Sequence, residues 1–385
     1  MTLAPRARAR HFSARIASVG IVLAFVYACS NTAPTLGPTR GSSPQASVLG
    51  ATAAVSTSAT GSATLGASGS GGAGQGPSGS PAAPHLNAQP TGGGGGPIAS
   101  ATPGPTAPAR PRPGVTVSIV AAGDIACDPA HNVGTPKDCD QAATADEIGQ
   151  LNPTAVLTLG DNQYEDGTLA AFQAVFDKTW GAYKSIMHPA IGNHEYLTKG
   201  ATGYFGYFGV PAYYSYDLGA WHMIALDSEC SAGGVGGCQA GSPQERWLLA
   251  DLAAHPSTCT LVYWHEPRFS SGEHQDATRM STIWADLVAA HVSVVLAGHN
   301  HDYERFVPLN ASGAPDPTGV TEFVVGTGGK NHYGFTVAPL TGEVIRNDTS
   351  FGVISMTLGP TSYSWKFVPA PGYTFTDSGS AKCVG

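Results

Sequence analysis

The chain has 385 residues and carries more acidic than basic side chains, 27 against 19. Seven of the basic residues and none of the acidic ones precede residue 114, which leaves 12 basic against 27 acidic residues, a formal charge of −15, for residues 114–385. This balance argues against a nucleic-acid backbone as the main partner, and it favours a domain that holds multivalent cations.

The first 29 residues have the pattern of an export signal. Four arginines precede the apolar run from Ile16 to Tyr27, which is too short to span a bilayer comfortably. The tetrapeptide Val26-Tyr27-Ala28-Cys29 resembles a bacterial lipobox, which would make Cys29 the lipidated first residue of a protein anchored on the outer face of the cytoplasmic membrane. The alternative is an ordinary signal peptide cut near Ala28, which would release the protein from the cell.

Residues 30–113 form a low-complexity segment. Gly, Ser, Thr, Ala and Pro dominate it, and between Ser30 and Ala109 the only formal charge is Arg40. Such a composition buries too little apolar surface to offset the entropy of ordering the chain. We therefore expect a disordered tether, followed by one folded domain over residues 114–385.

From residue 115 onward, apolar runs of strand length alternate with helical patterns. Strands are predicted at 115–120, 155–159, 186–191, 213–218, 221–226, 260–264, 292–297, 321–326 and within 352–368. Helices are predicted at 144–151, 169–183, 243–255 and 279–290. The aromatic and glycine-rich segment between Tyr196 and Tyr216 predicts no regular structure. Together these elements indicate an α/β sandwich of two sheets flanked by helices.

Six cysteines remain once Cys29 is set aside, and an even number in an exported chain indicates disulfides. Fifteen pairings are formally allowed. A metal role for the thiols is disfavoured because they lack Cys-x-x-Cys spacing. Proximity in the sequence favours Cys127 with Cys139 and Cys230 with Cys238, which leaves Cys259 to pair with Cys383.

Side chains of metal-ligand type follow five of the predicted strands. A sheet brings such strand ends to one edge, so we expect the five loops to converge. Taken singly, a Gly-Asp pair is usually a turn or a helix cap, and a buried histidine usually has ordinary hydrogen-bond partners. Five together favour a dinuclear metal site. The residues are Asp124, Asp161 with Tyr164, Asn193 with His194, His265, and His299 with His301.

These segments resemble, in order, the five sequence blocks of the metallophosphoesterases, and among them those of the purple acid phosphatases. The resemblance covers about residues 115–367. It implies a four-layer αββα sandwich with two mixed β-sheets and a dinuclear metal site at the strand ends. The matching segments are Gly123-Asp124, Gly160-Asp161-Asn162-Gln163-Tyr164, Gly192-Asn193-His194-Glu195, Trp264-His265-Glu266-Pro267 and Gly298-His299-Asn300-His301.

The resemblance also implies a ligand set. Most metallophosphoesterases have a histidine two residues after the first aspartate, where this chain has Ala126. The purple acid phosphatases likewise lack that histidine and use the tyrosine, and a phenolate favours Fe(III). The cofactors expected are therefore two metal ions, Fe(III) plus a divalent Zn, Fe or Mn ion. The implied ligands are Asp124, Tyr164 and His301 for the first metal, Asn193, His265 and His299 for the second, and Asp161 as the bridge.

Two such ions would activate a hydroxide, hold it in line with phosphorus and neutralise charge in the transition state. The leaving alkoxide then needs a proton, and the resemblance makes His194 and His274 the candidate catalytic residues. For His274 the alternative is a plain loop residue. The expected activity is hydrolysis of small phosphate monoesters by an exported, acid phosphatase-like enzyme.

Other functions stay open. The same ligands serve phosphodiesterases and nucleotide hydrolases, and a surface binding protein that keeps the fold without turnover is a third alternative. For two charged residues near these motifs the expected roles are less specific. Glu195 would either orient His194 or face solvent, and Arg305 would brace its loop through an ion pair.

Overall fold

The computed structural model describes residues 114–128, 130, 139–232 and 235–385. The predicted export signal, Cys29 and the predicted tether lie outside the described residues. The strands are β1 (Val117–Ala122), β2 (Ala155–Leu159), β3 (Met187–Ala190), β4 (Tyr214–Leu218), β5 (Trp221–Ala225), β6 (Thr260–Tyr263), β7 (Val294–Ala297), β8 (Tyr303–Phe306), β9 (Thr321–Val325), β10 (Glu343–Asn347), β11 (Gly352–Leu358), β12 (Ser362–Pro369) and β13 (Ser378–Lys382). The α-helices are α1 (Gln141–Leu151), α2 (Leu169–Ala174), α3 (Asn193–Tyr196), α4 (Thr202–Phe208), α5 (Pro243–Ala254) and α6 (Ser281–Ala289).

The strands form two mixed sheets. The first has the order β13-β12-β11-β1-β2-β3, and the second has the order β10-β8-β9-β7-β6-β5-β4. Parallel pairing joins β1 to β2 and β2 to β3 in the first sheet, and β5, β6, β7 and β9 in the second. Every strand that precedes a predicted ligand loop lies in one of these parallel groups. Their carboxyl ends therefore share one edge of each sheet.

The side chains of the second sheet show that it lies between two cores. Along β5, Met223 and Ala225 belong to the core that also contains residues of the first sheet, whereas Ile224 packs with the helices α5 and α6. The same alternation occurs in β6 and β7, as expected for strands buried on both faces. Helix α1 contacts β11 of the first sheet, and the Tyr204 hydroxyl of α4 donates to the carbonyl of Pro189 in β3 at 3.0 Å. The predicted four-layer αββα sandwich is therefore confirmed.

The helix predicted over residues 169–183 is wrong as a single element. Helix α2 ends at Ala174, and 3₁₀ turns follow at Phe176–Lys178 and Trp180–Ile186. Val175 and Thr179 leave the helical region, with φ/ψ of −122°/−63° and −124°/−97°. Phe172, Phe176 and Trp180 remain fully buried, so packing in the core overrides the 3.6-residue period.

The segment between Tyr196 and Tyr216, for which no regular structure was expected, contains helix α4. Its aromatic side chains pack on those of α2: the Tyr207 ring stacks on Phe172 with centroids 4.9 Å apart. Tertiary contact between two aromatic groups thus stabilises a helix that its two glycines, Gly203 and Gly206, do not favour.

Three disulfides connect Cys127 to Cys139, Cys230 to Cys238, and Cys259 to Cys383, which confirms the predicted pairing. The expected ion pair of Arg305 is also present: Nε lies 2.6 Å from Oδ2 of Asp377, and Nη2 lies 3.0 Å from Oδ1. Within the described ranges, no helix has the length and apolarity that a membrane crossing requires.

Candidate metal centre

The loops that follow β1, β2, β6 and β7 bind one another through their backbones. The Asp124 N–H donates to the Gly160 carbonyl at 3.1 Å, and the Ile125 N–H donates to the Asp161 carbonyl at 3.0 Å. In the second sheet the Gly298 N–H donates to the carbonyl of His265 at 2.8 Å. The expected convergence of the loops at one edge is observed.

The glycines of these motifs are required by close approach. A Cβ on Gly160, whose φ is +85°, would lie 2.5 Å from the His265 ring, and a Cβ on Gly192 would lie 2.2 Å from Oδ1 of Asp161. Three ligand-type residues themselves adopt positive φ: Asp124 at 59°, Asp161 at 46° and His299 at 70°. Such backbone conformations are costly for non-glycine residues and concentrate at functional sites.

One group of side chains surrounds the hydroxyl of Tyr164. This oxygen lies 2.8 Å from Oδ1 of Asp124, 3.0 Å from Oδ2 of Asp161 and 2.9 Å from Nε2 of His301. Nε2 of His301 is also 3.2 Å from Oδ1 of Asp124. Nδ1 of the same ring donates to the carbonyl of Asn331 at 2.5 Å, so Nε2 is the nitrogen turned toward the group.

A second group surrounds Nε2 of His265. It lies 3.2 Å from Oδ2 of Asp161, 3.1 Å from Oδ1 of Asn193 and 3.2 Å from Nδ1 of His299. Nδ1 of His265 donates to the carbonyl of Leu159 at 2.8 Å, which directs Nε2 into the group. Asp161 belongs to both groups through the same oxygen, Oδ2.

The donor atoms of both groups fit bound cations. A single phenol proton on Tyr164 faces three acceptors, and a single N–H on His265 faces three more, so protons alone leave acceptors without partners. Oxygen and imidazole ligands about 3 Å from one another suit divalent or trivalent ions. The ligand atoms of Asp161, His265 and His299 all lie within 4.8 Å of one another, close enough for one metal ion to bind all three.

The electrostatics of the second group favour positive charge. Burial opposes a charged imidazole, but the Asp161 carboxylate outweighs it and raises the pKa of His265 to about 10. Burial and the neighbouring His265 lower the pKa of His299 well below its ordinary value, which keeps a nitrogen lone pair available. A cation would displace the His265 proton, because metal ligation and protonation compete for the same lone pair.

The first group keeps its phenol protonated in the metal-free protein. Burial, followed by the negative charges of Asp124 and Asp161, raises the pKa of Tyr164 well above its ordinary value. A bound cation acts in the opposite direction, because it stabilises the phenolate. The position two residues after Asp124 is filled by Ala126, fully buried, whose carbonyl accepts the Tyr164 N–H at 2.8 Å.

The two candidate catalytic histidines border the two groups. The His194 N–H donates to Oδ1 of Asp161 at 2.9 Å, and its Nε2 lies 3.9 Å from Oδ2 of the same residue. The His274 ring lies against His299 with centroids 4.5 Å apart. Burial, and then the nearby His301, lower the pKa of His274. The structure thus brings all nine proposed site residues into one cluster.

Glu195 has a role that neither expectation described. It is fully buried, and its two carboxylate oxygens accept backbone N–H groups from Asn162 at 2.7 Å, Gln163 at 3.2 Å and Gly192 at 2.8 Å. It therefore joins the loop that carries Asp161 to the loop that carries Asn193. Burial and the Asp161 charge raise the pKa of Glu195 to about 8. No local sequence signal separates this role from that of a solvated glutamate.

Two further residues escaped the sequence analysis. Asn300, between the last two histidines, is fully buried; its Oδ1 accepts the His274 N–H at 2.8 Å. Tyr333 stacks on the His301 ring with centroids 4.0 Å apart. The position of Asn300 inside a ligand motif was the available signal, whereas Tyr333 reaches the site only through the fold.

Comparison with known proteins gives a consistent result. Residues 117–303 match the family model for calcineurin-like phosphoesterases. Purple acid phosphatase 21 of Arabidopsis thaliana is 34% identical over 123 residues, which are 30% of this chain and 26% of that protein. Purple acid phosphatase 18 of the same plant is 26% identical over 216 residues, 49% of this chain and 46% of that protein. The chain spans about half or less of the length of these relatives.

Among solved structures, a purple acid phosphatase from yellow lupin (Lupinus luteus) seeds has the same fold. The TM-score is 0.61 at 18% sequence identity, and the match covers 71% of this chain and 55% of that chain.

Proposed function

We propose that this protein is an exported, metal-dependent hydrolase of small phosphate monoesters. The match of residues 117–303 to the calcineurin-like phosphoesterase model and the similarity to purple acid phosphatases support this proposal. The observation that carries the proposal is the pair of donor groups that share one oxygen of Asp161. A shared carboxylate between two sets of oxygen and nitrogen donors is what a dinuclear centre requires.

The residues would divide between two ions. When bound, the two cations supply positive charge that neutralises a phosphoryl group and activates water for its displacement. Tyr164 in the first set favours Fe(III), and the amide and imidazole donors of the second set suit a divalent Zn, Fe or Mn ion. The first set is Asp124, Tyr164 and His301, the second is Asn193, His265 and His299, and Asp161 bridges them.

The histidines outside the two sets would handle the substrate and its proton. His194 is held by its Nδ1, which donates to the Glu165 carbonyl at 2.6 Å, so its Nε2 points toward the shared carboxylate. An imidazolium in this place, which carries a second proton on Nε2, can donate it to a phosphoryl oxygen. His274 lies at the border of an open cleft beside His299. We assign His274 the delivery of a proton to the departing alcohol oxygen.

Export is the second part of the proposal. Three disulfides support an oxidising compartment, and the N-terminal arginines and apolar run support secretion. We propose that Cys29 is lipidated and attaches the protein to the outer face of the cytoplasmic membrane. Mass spectrometry of the mature N-terminus tests this: a peptide that begins after Cys29, or an unmodified Cys29, contradicts it.

Metal analysis and kinetics of purified variants test the catalytic proposal. The wild-type protein should contain two metal ions and hydrolyse 4-nitrophenyl phosphate faster than bis(4-nitrophenyl) phosphate. Asp161→Ala should lose both metals and activity, whereas His274→Ala should keep its metals and lose about 10²- to 10⁴-fold in turnover. Asp146 is exposed on α1, so Asp146→Asn serves as the control variant at a position outside the site. A strong diester preference would contradict the monoesterase assignment, and inactivity after loading with iron and zinc would favour a binding protein.

A further inference from the structure

An open cleft of about 340 Å³ adjoins the second donor group. His299 and His274 form the side next to the candidate centre, and Glu266 with residues 275–279 forms the remainder. A phosphoryl group bound at the centre would place its alcohol in this cleft, whose size suits a small alcohol. The charges that border the cleft therefore bear on which alcohols are accepted.

The cations at the cleft already have carboxylate partners. Nη2 of Arg279 contacts Oε2 of Glu266 and lies 3.7 Å from Oε1 of Glu229, so this guanidinium sits between two negative charges. Behind the cleft, Nη1 of Arg268 lies 3.6 Å from Oδ2 of Asp276. An additional phosphate on the substrate would have to compete with these carboxylates for either arginine.

Of the two carboxylates that line the cleft, Asp276 is the one that reaches the solvent, and the Arg279 side chain is 46% exposed. The Asp276 side chain is 35% exposed, whereas its partner Arg268 is only 12% exposed. The Ser270 N–H donates to Oδ1 of Asp276 at 2.9 Å, which fixes the carboxylate at the cleft. Glu273, beside His274, is also exposed. Among the described residues that line the cleft, the one arginine, Arg279, therefore faces two carboxylates, those of Glu266 and Asp276.

From this arrangement we infer that the cleft selects phosphate monoesters whose alcohol carries a positive charge, such as a primary ammonium, and rejects alcohols that carry a further phosphate or a carboxylate. The inference rests on the proposed phosphatase function and names its substrate class. The reaction is hydrolysis: a water oxygen forms a bond to phosphorus, the bond from phosphorus to the alcohol oxygen breaks, and that oxygen takes a proton. The cleft acts on the alcohol and adds no other chemistry.

Three substrates of nearly equal size test the inference with the metal-loaded protein. 2-Aminoethyl phosphate, 2-hydroxyethyl phosphate and phosphoglycolate differ in carrying an ammonium, a hydroxyl or a carboxylate at the same place. We expect kcat/KM to fall in that order, by about fivefold at each step for charges a few ångströms apart near the surface. The differences should shrink as salt is raised from roughly 0.02 to 0.5 M, because salt screens exposed charges.

The variant Asp276→Asn isolates the exposed charge. An asparagine oxygen can still accept the Ser270 N–H, so the loop keeps its anchor while one negative charge is lost. The ratio of kcat/KM for the ammonium substrate over the carboxylate substrate should fall about fivefold. Asp146→Asn removes the same charge from α1, outside the cleft, and should leave all three values unchanged.

The results separate this inference from the function on which it rests. Equal kcat/KM for the three substrates, a preference for phosphoglycolate, or an unchanged ratio in Asp276→Asn overturns the charge selection and leaves the phosphatase proposal standing. If the protein hydrolyses 4-nitrophenyl phosphate but none of the three test substrates, the charge selection is also overturned and the phosphatase proposal again stands. A metal-loaded protein that hydrolyses no monoester overturns the proposed function and this inference with it.

Discussion

The hydroxyl of Tyr164 lies 2.9 Å from Nε2 of His301, at the point where a loop of the first sheet meets a loop of the second. The two residues are 137 positions apart in the sequence. Their contact closes one donor group across both sheets, and it makes the tyrosine hydroxyl a direct probe of the candidate first metal site.

Replacing Tyr164 by Phe removes that hydroxyl and little else. We expect the Fe(III)-loaded wild type to absorb visible light through its tyrosinate, and Tyr164→Phe to lose this band together with at least about 10-fold in affinity for the first metal. Tyr333→Phe is the control, because it keeps the ring that stacks on His301. Spectra and metal titrations measure both effects. A colourless, iron-free and fully active wild type would refute the ferric assignment.

Glu195→Gln should weaken the connection between the loop that carries Asp161 and the loop that carries Asn193. Above about pH 8, the pKa that burial and Asp161 give Glu195, its carboxylate accepts three backbone N–H groups, whereas a glutamine has one acceptor oxygen and turns an NH₂ group toward one of those donors. We expect the free energy of unfolding to fall by about 1–3 kcal/mol and metal content to drop. Urea unfolding and metal analysis test this beside Asp146→Asn. An unchanged midpoint with full metal content would show that the three hydrogen bonds are dispensable.

His222 should make stability depend on pH. Its Nδ1 donates to Asp217 and its Nε2 to Asp251, each at 2.8 Å, and its ring stacks on His255. Burial alone would lower the pKa of His222, but the two carboxylates raise it above the ordinary value. The stabilisation is therefore complete below the unfolded pKa of about 6.5 and is lost as pH rises through the folded pKa.

The matching measurement compares wild type with His222→Gln by urea unfolding. The difference in free energy of unfolding should be larger at pH 5.5 than at pH 9. Subtracting the variant removes contributions from other titrating groups. A difference that stays constant or grows with pH would contradict a charged imidazole between the two carboxylates.

The three disulfides should contribute unequally. The bond between Cys259 and Cys383 spans 124 residues, whereas that between Cys230 and Cys238 spans 8. If restriction of the unfolded chain dominates, removing the first as a pair of Cys→Ala changes costs about 5 kcal/mol and removing the second about 2.5 kcal/mol. Urea unfolding of the two double variants measures the difference. Equal losses would show that native contacts matter more than loop length.

Short stretches of the sequence are enough to predict many of the strands and the ligand-bearing loops that follow them. Strands such as β2 and β7 are short branched or apolar runs, and a glycine with a ligand-type residue follows each, so both the strand and the loop are encoded within about ten residues. Parallel strands bring such loops to a common edge. The two-sheet sandwich and the convergence of the polar loops were therefore predictable.

The tertiary structure decided what depends on contacts between distant segments. Glu195 reads as an ordinary helical glutamate until the fold buries it against the backbone of Asn162. The helix predicted over residues 169–183 breaks because sheet packing, rather than periodicity, sets its geometry. The charge of the cleft follows in the same way from Arg279 meeting carboxylates that lie on other loops.

The loop from Gly160 to Tyr164 depends both on local sequence and on tertiary packing. The sequence alone determined that a carboxylate and a tyrosine follow a buried strand, because strand length and the Gly-Asp pair are local features. Only the fold brought Asp161 within reach of both Tyr164 and His265, since that position depends on how the two sheets pack against each other. Local pattern supplies the chemical groups, and long-range packing sets which of their atoms face one another.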